Sequence, residues 1–342
     1  MKRQVSLILS LLLVAATLGG CSSASTAGSA PQNAQSAASG AASASSAAAS
    51  AKYRIAFVAR AQSDSFAAWL ANAMKSEAEK YSDVQLEIFD GEANDDKENT
   101  MIENAITNKF DCIVVQPNNG EAQRPYVEKV VAAGIQAITT NAAITGIEGA
   151  SFVDADPYKQ ASVSAERAVK EVPKNANVVV LKGPSGNFHA DQRRVAWKEV
   201  FFDKRPDVKI VGEQIANWNK DEAMNYMEDW IQSNSKIDAI ISMNDNMCAG
   251  ALEAVKGNSN FSKILAYGVD GTAEACLLIQ DGKMTSTCLQ NAYTLAEKIM
   301  STAHDLLTGK EKKVETRIDC PLITKDNVQQ YIDMYKKTGD IK

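Results

Sequence analysis

Short apolar runs recur along the chain from about residue 52, and most are followed by a longer segment with helical periodicity. The runs are RIAFVA, VQLEIFD, CIVVQP, QAITT and ASFVD, and then NVVVLKG, KIVGEQIA, AIISMN, ILAYGVD and TSTCLQ. Intervening segments such as FAAWLANAMKSEAEKY place apolar residues on one helical face and Lys and Glu on the other. Strands alternating with helices of this length predict parallel sheets covered by helices on both faces.

The strand–helix pattern runs once and begins again near residue 177. Two halves of similar layout predict an α/β protein with two similar, doubly wound parallel-sheet lobes. In such folds, ligands bind beyond the carboxyl ends of the strands, and a crevice between two lobes is a common place for a small-molecule site. The residues at the strand ends are therefore the first candidates for function.

Residues 1–21 have a different pattern, with Lys2 and Arg3 before an apolar run that closes on Leu-Gly-Gly and Cys21. The run is short for a membrane span and has the order of parts of a secretory signal. It resembles a bacterial lipoprotein signal, in which Cys21 is lipidated and becomes the mature N-terminus. The alternative is an ordinary secretory signal with a chance cysteine. Either interpretation places the mature protein outside the cytoplasm, and the first anchors it to the cell membrane.

Residues 22–51 are almost entirely Ser, Ala and Gly. They carry no large apolar side chains with which to offset the entropy lost on ordering. The segment is therefore expected to be a flexible tether that spans roughly 30 Å on average. The folded part is expected to begin at residue 52.

Net charge and cysteine spacing argue against several classes of function. The formal net charge is -6 and no basic run is present, which argues against nucleic acid as a partner. The cysteines after Cys21 show no C-x-x-C spacing of a metal or redox site; they are Cys112, Cys248, Cys276, Cys288 and Cys320. Most are expected to be buried core residues, and a Cys288–Cys320 pairing is left open. No metal or cofactor is indicated, and nothing requires more than a monomer.

Polar or aromatic side chains stand where successive predicted strands end. They are Arg60, Asp64, Phe66, Gln116, Asn141, Arg193, Trp218, Asn244, Asp270 and Gln290. Carboxylates, amides and guanidinium groups exchange hydrogen bonds with hydroxyls, and aromatic faces suit the C–H side of a sugar ring. Each residue alone has a structural alternative: Asp64 as a helix cap, Trp218 as core packing, Asp270 as a turn residue. Their recurrence at strand ends favours a site for a hydroxyl-rich molecule.

Two motifs of the second half make a resemblance specific. NDNMCAGALEAVKG, followed by ILAYGVDGTAEACLLIQDGKMTSTCLQN, is similar in order and spacing to the Asn-Asp-x-Met, Gly-x-Asp-Gly-Thr and terminal Gln motifs of ribose- and galactose-binding proteins. The chain thus resembles the type I periplasmic binding proteins, the sugar receptors of ABC importers, over about residues 53–325. The resemblance implies two lobes joined by a three-segment hinge. It places residues 52–155 and 291–320 in an N-terminal lobe, and 156–290 and 321–342 in a C-terminal lobe.

The resemblance also implies roles for the residues at the strand ends. Asp64, Phe66, Gln116 and Asn141 would bind ligand from the first lobe; Arg193, Trp218, Asn244 and Asp270 from the second, with Gln290 at the hinge. Asn244 is therefore expected to bind ligand, whereas Asp245 is expected to cap or anchor the helix that follows.

The chain departs from the family pattern after the fourth strand. Ribose- and galactose-type receptors often carry an Asp-Arg pair where this chain has Asn141 and Ala142. Arg60, on the opposite strand end, is expected to replace some of the lost donors. The ligand should therefore differ from ribose: a cyclic polyol, a different pentose or hexose, or another small hydroxylated molecule.

An enzyme is disfavoured by the scarcity of catalytic pairs. The histidines are His189, for which no nearby Ser or Cys makes a plausible nucleophile–base pair, and His304, which lies in a predicted helix as a surface or packing residue. Asp154 and Asp156 lie where the family crosses between lobes, and GPSG lacks the Lys-Ser/Thr ending of a phosphate loop. A repressor would need a DNA-binding motif in place of the tether.

The expected function is therefore an extracytoplasmic substrate-binding lipoprotein. It would capture a monosaccharide or cyclic polyol between closing lobes and deliver it to the transmembrane subunits of an ABC permease. The alternative is a receptor that presents its closed, ligand-bound form to a sensor kinase or chemoreceptor.

Overall fold

Every apolar run singled out in the sequence forms a β-strand in the computed structural model, which describes residues 51–342. The strands are β1 (Tyr53–Ala59), β2 (Val84–Asp90), β3 (Cys112–Val115), β4 (Gln136–Thr139), β5 (Ala150–Ala155), β6 (Asn177–Lys182), β7 (Lys209–Ile215), β8 (Ala239–Ser242), β9 (Leu265–Asp270), β10 (Ser286–Leu289), β11 (Glu315–Ile318) and β12 (Leu322–Thr324). The predicted signal segment with Cys21, and the predicted tether up to residue 50, lie outside the described residues.

Helices connect most of the strands. They are α1 (Ser65–Ala78), α2 (Asp95–Thr107), α3 (Gly120–Ala132), α4 (Pro157–Glu171), α5 (Phe188–Trp197), α6 (Lys220–Ser233), α7 (Asp245–Ala254), α8 (Ala273–Gln280), α9 (Ala292–Leu307) and α10 (Val328–Thr338). Most begin at an Asp, Asn or Thr whose side-chain oxygen accepts a hydrogen bond from a free backbone N–H of the first turn. In α4, Asp156 caps and Pro157 occupies the first helical turn, where its missing N–H costs nothing.

The strands form two six-stranded sheets, one for each lobe. The first has the order β11-β5-β4-β3-β1-β2 and is parallel throughout. The second has the order β12-β10-β9-β8-β6-β7 and is parallel except for β12, which runs antiparallel to β10. In the first sheet β3 and β2 lie on opposite sides of β1, and in the second β8 and β7 lie on opposite sides of β6. Doubly wound sheets leave a crevice for ligand at the carboxyl ends of the strands at this position.

Helix α9 shows how late parts of the chain complete the first lobe. Its residues Leu295, Ile299 and Met300 are fully buried against Ile55 and Phe57 of β1 in one hydrophobic core. Truncating one such side chain to Ala typically costs about 2–5 kcal/mol. The core of the first lobe therefore depends on residues that follow the whole second sheet except β12.

The chain crosses between the lobes at three places: between β5 and α4, between β10 and α9, and between β11 and β12. Around these crossings Ala155, Val269, Cys288 and Cys320 form a small buried cluster. The five cysteines of the described residues are all free and buried, so the Cys288–Cys320 pairing left open above is not formed. Instead the Cys288 thiol lies 3.2 Å from the Cys320 carbonyl oxygen. Within residues 51–342, no helix combines the length and the apolar character that crossing a membrane requires.

Candidate functional site

The carboxyl ends of β1, β3 and β4 bring four predicted residues together in the first lobe. Arg60 follows β1, and its guanidinium donates to the Asp64 carboxylate at 2.7 Å and to the Asn141 side-chain oxygen. Gln116, after β3, donates to the same Asn141 oxygen at 2.8 Å. Asp64 also caps α1 by accepting from the Ala67 N–H at 2.9 Å, so its cap role and its place in the site coexist. All four side chains are buried.

Arg60 contacts the turn after β4 that carries Asn141, and its predicted role as a donor to ligand stays a prediction. Asn141 and Ala142 have positive φ angles of 46° and 125°, a conformation in which a side chain is strained. Arg60 donates to both the side chain and the main-chain oxygen of Asn141. One guanidinium therefore supports the turn that carries Asn141.

Arg193 organises the second lobe. Its guanidinium donates to the Met243 carbonyl oxygen at 2.7 Å and to Gln160 Oε1 at 2.8 Å. Gln160 in turn donates to Gln290 Oε1 at 2.8 Å, so α4, α5 and the crossing after β10 share one buried network. Gln160 was not among the sequence candidates, because a glutamine within a helix carries no signal that separates it from a solvent-facing residue.

Asp270 lies at the end of β9, with a φ angle of 121°. Its carboxylate is 3.7 Å from Arg193 Nη2, which is beyond hydrogen-bonding distance. Burial raises its pKa well above the usual value; Arg193 opposes this shift and Asp245 adds to it. A buried carboxylate held without a close donor is suited to accept hydrogen bonds from ligand hydroxyls.

Trp218 lies between the two lobes' guanidinium groups. The Arg193 guanidinium is 5.7 Å and the Arg60 guanidinium 5.9 Å from the Trp218 ring. The indole is 4 % exposed and rests against Gly183, at the end of β6. Trp218 has a positive φ of 59°, and its carbonyl oxygen accepts from Asn246 at 2.7 Å. This strand-end loop is therefore held so that the aromatic ring reaches the junction of the lobes.

Three buried donors of these residues find no acceptor within the part of the chain that the structure describes: Arg60 Nε, Trp218 Nε1 and Gln290 Nε2. Leaving a buried N–H without an acceptor costs about 1–3 kcal/mol. Other unpaired buried groups occur elsewhere, but these three belong to residues that are mutually connected through Arg193 and Trp218. Their arrangement suits a ligand that supplies several oxygen acceptors at once.

Asn244 and Asp245 have different roles at the start of α7. The cap of α7 is Asn244, whose side-chain oxygen accepts from the Met247 N–H at 2.9 Å; neither Asp245 nor Asn246 caps it. Asp245 accepts from the Thr287 hydroxyl at 2.6 Å and from the Thr272 N–H at 2.8 Å, which ties α7 to the ends of β9 and β10. Asp245 therefore anchors the helix, as expected, but does not cap it. Asn244 is 2 % exposed, and its role towards ligand stays a prediction.

Phe66 lies apart from the polar network. It is 1 % exposed and packs within the hydrophobic core of the first lobe, with its ring edge-on to Trp69 at 5.8 Å. The alternation of the sequence could not distinguish an aromatic residue that faces a ligand from one that begins a buried helix face. A ligand contact by Phe66 stays a prediction that the observed packing does not support.

A family model described as a periplasmic binding protein domain matches residues 55–311. The chain belongs to the periplasmic binding protein family. The predicted family and the predicted two-lobed parallel α/β fold are confirmed. Proteins of this family bind solutes outside the cytoplasm. This general role agrees with the one expected from the sequence.

Several relatives resemble this periplasmic binding protein over most of its length. A xylitol-binding protein of Mycolicibacterium smegmatis is 29% identical over 72% of this chain and 71% of its own. A D-apiose import binding protein of Paraburkholderia graminis is 31% identical over 72% of this chain and 79% of its own. Among solved structures, an ABC transporter solute-binding protein of Bacillus halodurans with bound myo-inositol is 26% identical, with a TM-score of 0.77 over 84% of this chain and 99% of that one.

Proposed function

We propose that this protein is the substrate-binding component of an ABC importer, which encloses a monosaccharide or cyclic polyol between its lobes and delivers it to a membrane permease. The main support is the set of unpaired buried donors, Arg60 Nε, Trp218 Nε1 and Gln290 Nε2, beside the donor-poor Asp270 carboxylate. A polyhydroxylated molecule offers oxygen acceptors to the three unpaired N–H groups and hydroxyl donors to the Asp270 carboxylate. The relatives named above bind or import xylitol, D-apiose or myo-inositol.

The charges favour a neutral ligand. Arg60 is paired with Asp64 at 2.7 Å, and Arg193 faces Asp270 at 3.7 Å, so each guanidinium already has a carboxylate. An anionic sugar phosphate or sugar acid would add a buried charge without a free cation among these residues. Sugars, sugar alcohols and inositols fit this charge balance.

The test is a thermal-shift screen of the purified protein against pentoses, hexoses, sugar alcohols and inositols. A compound that binds only the folded state, at one hundred times its dissociation constant, adds about 2.7 kcal/mol to the unfolding free energy. At least one neutral polyol should raise the melting temperature, whereas sugar phosphates should not. A panel with no hit, or with hits only among anions, would contradict the proposed ligand class.

We further propose that Cys21 carries a lipid that holds the protein at the cell membrane, and that the protein acts as a monomer with the transmembrane permease subunits as partners. The basis is the sequence order of Lys2, Arg3, the apolar run and Cys21. Presentation of the closed form to a membrane sensor is the alternative to import. Uptake of a radiolabelled hit by intact cells, lost on deletion of the gene, would distinguish import from sensing.

A further inference from the structure

His189 and Asp154 connect the two lobes directly. His189 lies in α5 of the second lobe and Asp154 in β5 of the first, and His189 Nε2 is 3.0 Å from Asp154 Oδ2. Both side chains are about 2 % exposed. Close by, Asn187 Nδ2 donates to the Asn118 carbonyl oxygen at 3.1 Å, which also joins the lobes. The His189–Asp154 contact thus lies in a buried patch that exists only while the lobes are together.

The partners of the ring determine which nitrogen of His189 carries the proton. His189 Nδ1 lies 3.3 Å from Arg193 Nη2, and a guanidinium can only donate. Nδ1 must therefore be the unprotonated acceptor, and Nε2 carries the hydrogen that it donates to Asp154. The imidazole is neutral and the carboxylate is ionised. Burial lowers the pKa of His189, and the positive charges of Arg193 and Arg60 lower it further against the opposing effect of Asp154.

Asp154 has a second task at the binding site. Its Oδ2 accepts from the Ala143 N–H at 2.8 Å and lies 3.3 Å from the Ala142 nitrogen. Burial alone would raise the pKa of Asp154, but His189 and the backbone donors together hold it below its usual value. Asp154 thereby fixes the strained turn that carries Asn141, and His189 completes its hydrogen bonding when the lobes meet.

We infer that His189 is a pH-sensitive closure residue, whose neutral ring joins the lobes through Asp154 and whose protonation in the open form opposes closure and releases ligand. This inference rests on the proposed function, since it requires lobes that close around a ligand. It adds a positioning residue, which contacts the predicted ligand-binding residue Arg193 at 3.3 Å and acts on closure through Asp154.

The sign of the pH effect follows from the two states. In the open form water reaches the ring and removes the burial that lowers its pKa, so the pKa rises towards the ordinary value of about 6.5, although Arg193 stays beside the ring within the same helix. In the closed form Arg193 and burial keep the ring neutral. Opening therefore takes up a proton, so acid favours the open form. Between pH 7.5 and 5.5 the dissociation constant should rise severalfold, by at most about tenfold.

Other groups do not produce the same sign. The charged groups facing His189 are Asp154, Arg193 and Arg60, and Asp154 stays ionised because its pKa is held below the usual value. Burial raises the pKa of three further carboxyl groups: that of Glu98 to about 8, that of Asp245 to about 7 and that of Asp270 well above its usual value. A carboxyl that is protonated when buried loses its proton on exposure, so acid would favour the closed form through these groups.

The test measures binding of xylitol and myo-inositol by calorimetry from pH 5.5 to 7.5. The wild type should lose affinity severalfold towards acid, by at most about tenfold. In His189→Gln the amide can still donate to Asp154 but cannot titrate, so affinity at pH 7.5 should be kept and the pH dependence lost. His189→Ala should bind more weakly at every pH. His304→Gln is the matched control, because His304 lies on α9 and contacts Asp83 at 3.3 Å; it should keep the wild-type profile.

A pH-independent dissociation constant in the wild type, or an unchanged profile in His189→Gln, overturns the inference and leaves the proposed function intact. Absence of binding of both probes and of the whole polyol panel at every pH overturns the proposed function and the inference with it. Histidine ¹⁵N spectra of the unliganded protein provide a test that needs no ligand. The His304→Gln variant assigns the signals to the two rings. His189 should carry its proton on Nε2 near pH 7.5, because the Arg193 contact lies within one helix; a proton on Nδ1 overturns the inference.

Discussion

The indole of Trp218 packs directly against Gly183, so that a Cβ atom at Gly183 would stand 2.2 Å from the ring. Such a distance is far inside van der Waals contact, and both residues follow strands of the second sheet. The absence of a side chain at Gly183 thus allows the ring to reach the junction between Arg60 and Arg193.

Gly183→Ala should displace the Trp218 ring and weaken polyol binding by tenfold or more, while the protein still folds. Calorimetry measures the affinity, and tryptophan fluorescence reports the movement of the ring. Gly120→Ala is the matched control, because its nearest neighbour would be 4.0 Å from the added Cβ. Equal affinities in both variants would place Trp218 outside the ligand site.

Asp270→Asn should weaken binding by at least tenfold and yet raise the melting temperature of the unliganded protein at pH 7. Burial raises the pKa of Asp270 well above its usual value, so its ionised form destabilises the fold at neutral pH, and a neutral amide removes that cost. Calorimetry and thermal denaturation measure the two effects. Asp281→Asn, at an exposed carboxylate, should change neither. A drop in both affinity and melting temperature would assign Asp270 a structural role.

Glu98 should make the unfolding free energy pH-dependent. Burial raises its pKa from 4.5 to about 8, so the folded state binds a proton that the unfolded state releases above pH 4.5. Its stabilising contribution is full at low pH and is lost as the pH rises through 8, by no more than about 5 kcal/mol. Urea denaturation from pH 4.5 to 8.5 should show a smaller decline in Glu98→Gln than in the wild type. Glu103→Gln, an exposed change on the same helix, should follow the wild type; a Glu98→Gln profile that matches it would show that Glu98 is ionised in the fold.

Asn244 allows cap and ligand roles to be separated. Asn244→Ala should lose about 1 kcal/mol of stability through the missing cap, and its ligand affinity should fall. Asn244→Ser keeps a good capping oxygen but removes the amide nitrogen, so it should keep near-wild-type stability while affinity still falls. If Asn244→Ser binds polyol as the wild type does, then Asn244 is a cap alone.

Cys21→Ser should move the protein from the membrane fraction to the soluble fraction, because a serine cannot carry a thioether-linked lipid. Ser22→Ala next to it should leave the protein with the membranes. Immunoblots of fractionated cells measure the distribution. A Cys21→Ser protein that stays with the membranes would contradict lipid anchoring at this residue.

The strands were predictable because buried parallel strands appear as apolar runs, whereas β11 and β12 carried no such signal. β11 is ETRI, with alternating exposed residues at a sheet edge, and β12 has three residues. The edge strands β2 and β7 have seven residues each and were recognisable, whereas β11 and β12 are edge strands of four and three residues, too short to show a pattern. Their places depend on which strand end they meet, which no local pattern specifies.

The positions of candidate side chains were predictable where a residue stands at the end of an apolar run, as with Arg60, Asn141 and Asp270. It was not predictable where function depends on a partner from the other lobe or from a helix side. The sequence shows His189 as an isolated histidine and Asp154 as a residue near a crossing between the lobes, because 35 positions separate them in the chain. Their pairing follows from how the lobes meet, and Gln160 enters the network only because α4 packs beside α5.

The return of the chain from the second lobe to the first has a consequence for synthesis. A nascent chain that ends before α9 lacks Leu295, Ile299 and Met300, and therefore an inner part of the first lobe's apolar interior. Strand β11, which pairs with β5 at the edge of the first sheet, is made later still, as residues 315–318. The N-terminal lobe is thus prevented from reaching its final state early, although its sequence is made first. The apolar interior of the first lobe therefore stays incomplete until almost the whole chain has been made.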